Sequence, residues 1–213
     1  MKKYFILFNI VVLFSFNTFA DDHFKYATKK MIKKFNKKIE VNEDSFANEI
    51  KIIAPYQGCT VAKGLKGIGW CSVGQLWEYK GEYGNHGSVT KEFFRSYYNQ
   101  EGLIEHQLYL ILSYWDDNLR SYSYVRQEDG TKHELLEITF DVRYDANDIL
   151  TYDEDLVMII DKNWLEGVIE NGGLYMKLYS DKSSDQPFWK ITAEYAELYL
   201  DYINKFEKSK NYN

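Results

Sequence analysis

The sequence predicts a mostly β fold of the α+β class: an antiparallel sheet, in a sandwich or open barrel, with helices at its N-terminal and C-terminal ends. Three observations point there. From residue 89 onward apolar and polar residues alternate with a period of two, as in strands with one buried face. Turn-forming clusters interrupt that alternation about every dozen residues, the spacing of an antiparallel sheet. Near each end the pattern switches to spacings of three and four, the mark of amphipathic helices.

The chain has 213 residues, 45% hydrophobic and 27% charged, which excludes a disordered or collagen-like polymer and suits a single domain. Aromatic content is high at 17%, with 19 Tyr, 13 Phe and 5 Trp against 2 Pro.

Residues 1–20 carry the layout of a secretory signal peptide. Met1-Lys2-Lys3 is a positive start, Tyr4 to Phe16 is an apolar run, and Thr18-Phe19-Ala20 ends in a small residue. The run of about 13 residues falls short of the ~20 that span a bilayer, so cleavage rather than anchoring is expected. No second apolar stretch approaches membrane length, so no transmembrane span is expected in the mature protein. Export to the periplasm, or secretion, follows as an expectation. Loss of Lys2 and Lys3 leaves 24 basic against 32 acidic residues, a net −8 where the full chain has −6. An acidic protein is a poor general nucleic-acid binder, because that binding rests on neutralising phosphates.

The basic N-terminal arm comes next, at 21–45, ahead of a single β-rich domain over 46–213. Phe24, Ala27, Met31 and Phe35 fall at helical spacings within 22–38, and Lys25, Lys29, Lys30, Lys33, Lys34, Lys37 and Lys38 fill much of the remainder. A solvated helix face is the ordinary reading of such a pattern, and weak contact with an anionic membrane surface is the functional one. A polar stretch over Asn42-Glu43-Asp44-Ser45 leads to the apolar strand Ile50 to Ala54, which Pro55 ends.

Residues 58–87 hold 8 of the 13 glycines and both cysteines, Cys59 and Cys71. In an oxidising compartment an even pair reads as a disulfide, closing a loop worth about 3 kcal/mol. Glycines permit tight turns, so this segment reads as loops and short hairpins pinned by that bridge. It also carries Trp70, Trp77, Tyr79, Tyr83 and His86, the expected binding surface, with His86 the best single candidate for a binding or catalytic histidine.

Beyond it, Phe94 to Tyr98 and a long strand through Tyr114 form a hairpin about Asn99-Gln100-Glu101-Gly102. Leu108, Leu110, Leu112 and Tyr114 share one face of the long strand. His106, in the same strand, is read as hydrogen-bonding outward. Turns at 116–118 and 128–130 separate strands over 119–126 and 135–142. Leu156 to Ile160, Leu174 to Tyr179 and Phe188 to Ile191 are three more strands. Asp161 caps a short helix at 162–171, closed by Asn171-Gly172, and Thr192 caps a final helix at 193–208.

Catalytic signatures are missing from the chain. The nucleophile elbow, the phosphate-cradling loop and the zinc-binding His-Glu helix are absent. The acidic stretch Asp145, Asn147, Asp148, Asp153, Glu154 and Asp155 lacks the glycine and ligand spacing of a calcium loop and reads as a solvated loop. No metal or cofactor is called for. Tyr97, Tyr98, Tyr109, Tyr114, Tyr122 and Tyr124 fall in strands, where packing is their usual role and an exposed face for sugars or a partner is the alternative. The functional expectation is a non-enzymatic exported binding or interaction protein, with another periplasmic or secreted protein as its partner. An immunity or inhibitor protein against a periplasm-acting toxin or hydrolase is the first alternative. An enzyme of the cell envelope with an unrecognised site is the second.

Overall fold

Leucines at every second position of one long strand organise the molecule. The computed structural model describes residues 24–57, 88–115, 119–144, 150–184, 186 and 188–212. Six strands form the larger sheet: β1 (Glu40–Asp44), β2 (Glu49–Ile53), β3 (Ser88–Asn99), β4 (Gly102–Trp115), β7 (Leu136–Tyr144) and β8 (Leu150–Ile160), in the order β1-β2-β3-β4-β8-β7. The smaller sheet orders β5 (Tyr122–Gln127), β6 (Lys132–Glu134), β9 (Leu174–Ser180) and β10 (Phe188–Ile191) as β10-β9-β5-β6. Every pairing is antiparallel. The arrangement is sandwich-like and not a closed barrel.

Leu108, Leu110 and Leu112 of β4 lie on one face and are fully buried, with Leu156 and Met158 of β8 beside them. That face packs against helix α3 (Ala193–Lys210), whose Tyr195 and Tyr199 rings each stack on Phe94 of β3 at 4.8 Å. The small sheet contributes Val125, Met176, Leu178, Trp189 and Ile191 to the same core. Helix α1 (Lys29–Lys38) adds Ile32 and Phe35, and α2 (Lys162–Glu170) adds Leu165 and Val168. Among the described residues no helix is long and apolar enough to cross a membrane.

Capping was legible. Asp161 accepts the Trp164 N–H at 2.7 Å and Thr192 accepts that of Tyr195 at 3.3 Å, each satisfying an otherwise unpaired donor of the first turn. Gly172, with φ of 70°, follows α2 in the left-handed conformation glycine accepts most readily.

Four readings need correction. The first helix starts at Lys29, capped by Thr28, and not at 22. Residues 25–27 instead deliver three backbone N–H groups to the Glu197 carboxylate, at 2.6, 2.9 and 2.7 Å, which fastens this segment to α3. The polar run Glu40–Asp44 is an edge strand, where charged side chains are tolerated because neither face is buried. The strand expected over 119–126 begins only at Tyr122, after Ser121 with φ of 53°. Finally, Asp153, Glu154 and Asp155 belong to β8 and are no solvated loop.

Candidate functional site

Charged side chains occur in two settings, one sealed and one open. Glu154 is the centre of the first sealed group. It shares a face with Leu156 and Met158, and is fully buried. Its carboxylate accepts the Tyr114 hydroxyl and the backbone N–H groups of Ser121 and Tyr122 (3.1 and 3.3 Å). Arg120 lies over the Tyr114 ring at 4.4 Å and donates to the Tyr122 hydroxyl at 3.2 Å. This group ties the entry of β5 to the large sheet.

Glu92, inward on β3, is buried beside Gln57. The Gln57 amide donates to the Glu92 carboxyl at 3.0 Å and to the Lys190 carbonyl at 2.6 Å, and accepts the Thr192 N–H at 2.7 Å. Desolvation is the main force on Glu92 and pushes its pKa up to about 8, although the hydrogen bond from Gln57 pulls the other way.

His106 points inward, not outward, and is buried. Its Nδ1 lies 2.6 Å from the Ser96 hydroxyl, which in turn bonds the Tyr199 hydroxyl. Burial lowers its pKa to about 4, so the ring is neutral at ordinary pH. Serine and histidine are paired here, but both are enclosed by Tyr98, Tyr199 and the sheet, which suits a structural network. The parity of His106 with Leu108 was the available signal for its inward placement.

The open setting is the outer face of the small sheet. In β9, Leu174, Met176 and Leu178 alternate with Tyr175, Lys177 and Tyr179, and burial of Met176 and Leu178 turns the other set outward. In β5 a register irregularity between Tyr122 and Tyr124 reverses the parity, so Tyr122 is buried while Tyr124 faces out opposite Tyr179. Those two rings stack at 5.0 Å with planes 3° apart. Arg126 lies 5.7 Å from each ring centre. Lys132 approaches Tyr124 at 4.3 Å, Lys177 approaches Tyr179 at 5.6 Å, and Lys190 approaches Tyr175 at 5.1 Å. Glu134 is the acid that registers with this face, paired to Lys132 at 2.6 Å. Four cations and three tyrosines therefore share one surface of a chain with net charge −6. Such a surface can hold anionic groups by charge while its rings and hydroxyls contact the carrier.

The residues expected to bind, Trp70, Trp77, Tyr79, Tyr83 and His86, lie outside the described residues, as do Cys59 and Cys71 and the leader at 1–20. Of the strand tyrosines, Tyr98, Tyr109, Tyr114 and Tyr122 are buried, and Tyr97 and Tyr124 are half-buried. In the sequence the run Tyr175-Met176-Lys177-Leu178-Tyr179 reads only as a strand. Its outward Tyr-Lys-Tyr triplet was the signal for the face described here. Among the described residues no group of three or more His, Cys, Asp or Glu side chains is placed to hold a metal. No family model matches this chain, and neither a curated protein nor a solved structure matches it.

Proposed function

We propose that this chain is an exported, non-enzymatic binding protein. Its contact surface is the cation–tyrosine face of the small sheet, and its ligand is an acidic polysaccharide bearing carboxylate or phosphate groups. The observation that carries the reading is the concentration of Arg126, Lys132, Lys177 and Lys190 around three outward tyrosines on an otherwise acidic protein. A sheet surface with cations spread across four strands suits a long polyanion that makes several weak contacts at once. The leader at 1–20 supports release into the periplasm, and the Cys59–Cys71 bridge belongs to the same reading, since that compartment favours disulfides.

Retention on immobilised alginate, with neutral dextran as control, tests the ligand class. Wild-type protein binds alginate and is released by salt. The Arg126→Glu/Lys177→Glu variant loses retention while keeping its fold. Equal retention of variant and wild type, or equal retention on dextran, overturns the reading. Intact-mass measurement on protein recovered from the periplasm tests export and the bridge: the expected product begins after Ala20 and lacks the two thiol hydrogens.

A further inference from the structure

The two edges of the six-stranded sheet are built differently, one short and acidic, the other long and apolar. Among the described residues no strand pairs with the outer side of β7. All nine of its residues are exposed, including Leu136, Ile138, Phe140, Val142 and Tyr144, at between 38% and 74%. These are five of the eleven large apolar side chains left exposed among the described residues. A long apolar edge with free backbone groups is a template for another strand, and proteins ordinarily blunt such edges with charge or shortness.

The register identifies a fitting occupant. Phe140, Val142 and Tyr144 align with Glu154, Tyr152 and Leu150 of β8, so they share the core-side face, whereas Asp141 and Arg143 align with Asp153 and Thr151 on the opposite face. The Val142 N–H donates to its neighbour Asp141 Oδ1 at 2.8 Å, and Arg143 is ion-paired to Asp153 of β8 at 2.5 Å, so pairing across this edge exchanges both contacts for contacts with the second strand. An antiparallel copy of the same strand centred on Val142 would set Val142 against itself in a hydrogen-bonded pair. Phe140 would face the partner's Tyr144, and Asp141 would face the partner's Arg143. The last pair falls at the closely spaced, non-hydrogen-bonded position, where opposite charges interact best. The same contacts repeat across the twofold axis, as an isologous interface requires.

We propose that β7 is a dimerisation edge, pairing antiparallel about Val142 with β7 of a second copy of this chain. Light scattering and sedimentation on the purified chain across a concentration series test it, with circular dichroism as the check on folding. Wild-type protein is dimeric at the upper concentrations. Asp141→Arg sets arginine against arginine, Arg143→Asp sets aspartate against aspartate, and each weakens the dimer by about tenfold. Mixing the two variants restores oppositely charged pairs, so a heterodimer of near wild-type affinity forms. Val142→Pro removes the N–H at the centre of the proposed pairing, at an edge strand where proline is tolerated, and gives a folded monomer. A wild-type monomer at every concentration overturns the proposal, and so does undiminished dimerisation of the single charge variants. A mixture that dimerises no better than its components overturns it as well.

Discussion

Charge in the interior of the large sheet and charge on the outer face of the small sheet obey opposite rules. Glu92, Glu154 and His106 are enclosed, and each is tied to named partners that fix its protonation or its place. Arg126, Lys132, Lys177 and Lys190 lie against tyrosine rings at an open surface, where few contacts constrain them. The comparison teaches that a buried ionisable group in this protein is chiefly a determinant of stability. An exposed cation contributes little to stability and is free to bind.

The largest effect expected from that difference is at Glu154. Glu154→Ala leaves the Tyr114 hydroxyl and the Ser121 and Tyr122 N–H groups without their acceptor, at a cost of about 4 kcal/mol in chemical unfolding. A loss below about 1 kcal/mol would place that carboxylate among the dispensable charges and break the comparison.

Glu92 comes next, with the opposite sign. Because its folded pKa is near 8 and its ordinary value 4.5, the folded state keeps a proton that the unfolded state releases. Its contribution is therefore full below pH 4.5 and falls as pH rises toward 8. Glu92→Gln should stabilise the protein at pH 7 by about 3 kcal/mol. His106 acts in the other direction. Its folded pKa near 4 and ordinary value of 6.5 mean that acidification from 6.5 to 4 protonates the unfolded chain first and costs stability. In wild type the two oppose each other between 4.5 and 6.5, so Glu92 alone governs the window from 6.5 to 8. Urea titrations at a series of pH values should show a decline across that upper window of about 2 kcal/mol. In Glu92→Gln the decline disappears, and a loss on acidification below pH 6.5 is exposed.

Smallest of all should be the changes on the open face. Lys132→Ala and Lys177→Ala are expected to alter stability by no more than about 0.5 kcal/mol. Their effect belongs in retention on alginate, which should fall with each cation removed. A stability loss near that of Glu154→Ala would show the cations to be structural and would remove the distinction between the two regions.

Much of the architecture is legible in local pattern, and the reason is physical. The alternation through Leu108, Leu110 and Leu112 identifies β4 because a pleated strand sends every second side chain to the same face. Asp161 and Thr192 mark the starts of α2 and α3 because their side chains answer donors only three residues away. The outward face of the small sheet was less visible. Reversal of parity between Tyr122 and Tyr124 depends on pairing with β9, a strand some fifty residues distant in the chain.

What the sequence determined by itself, then, is the inventory: a leader-like beginning, a run of antiparallel strands, two capped helices, and an acidic chain without a catalytic signature. The tertiary structure decided which charges are sealed and which are open. Glu154 in an acidic run and His106 in a strand carry no local mark of burial other than parity. Their environment is created by α3, β5 and β8 arriving from far along the chain. The same holds for β7, which becomes an edge opposite the short acidic β1, among the described residues, only once the strand order β1-β2-β3-β4-β8-β7 has formed. Periodicity and capping act within a few residues and can be read in order. Burial, register and edge exposure are properties of neighbours that the linear order does not name.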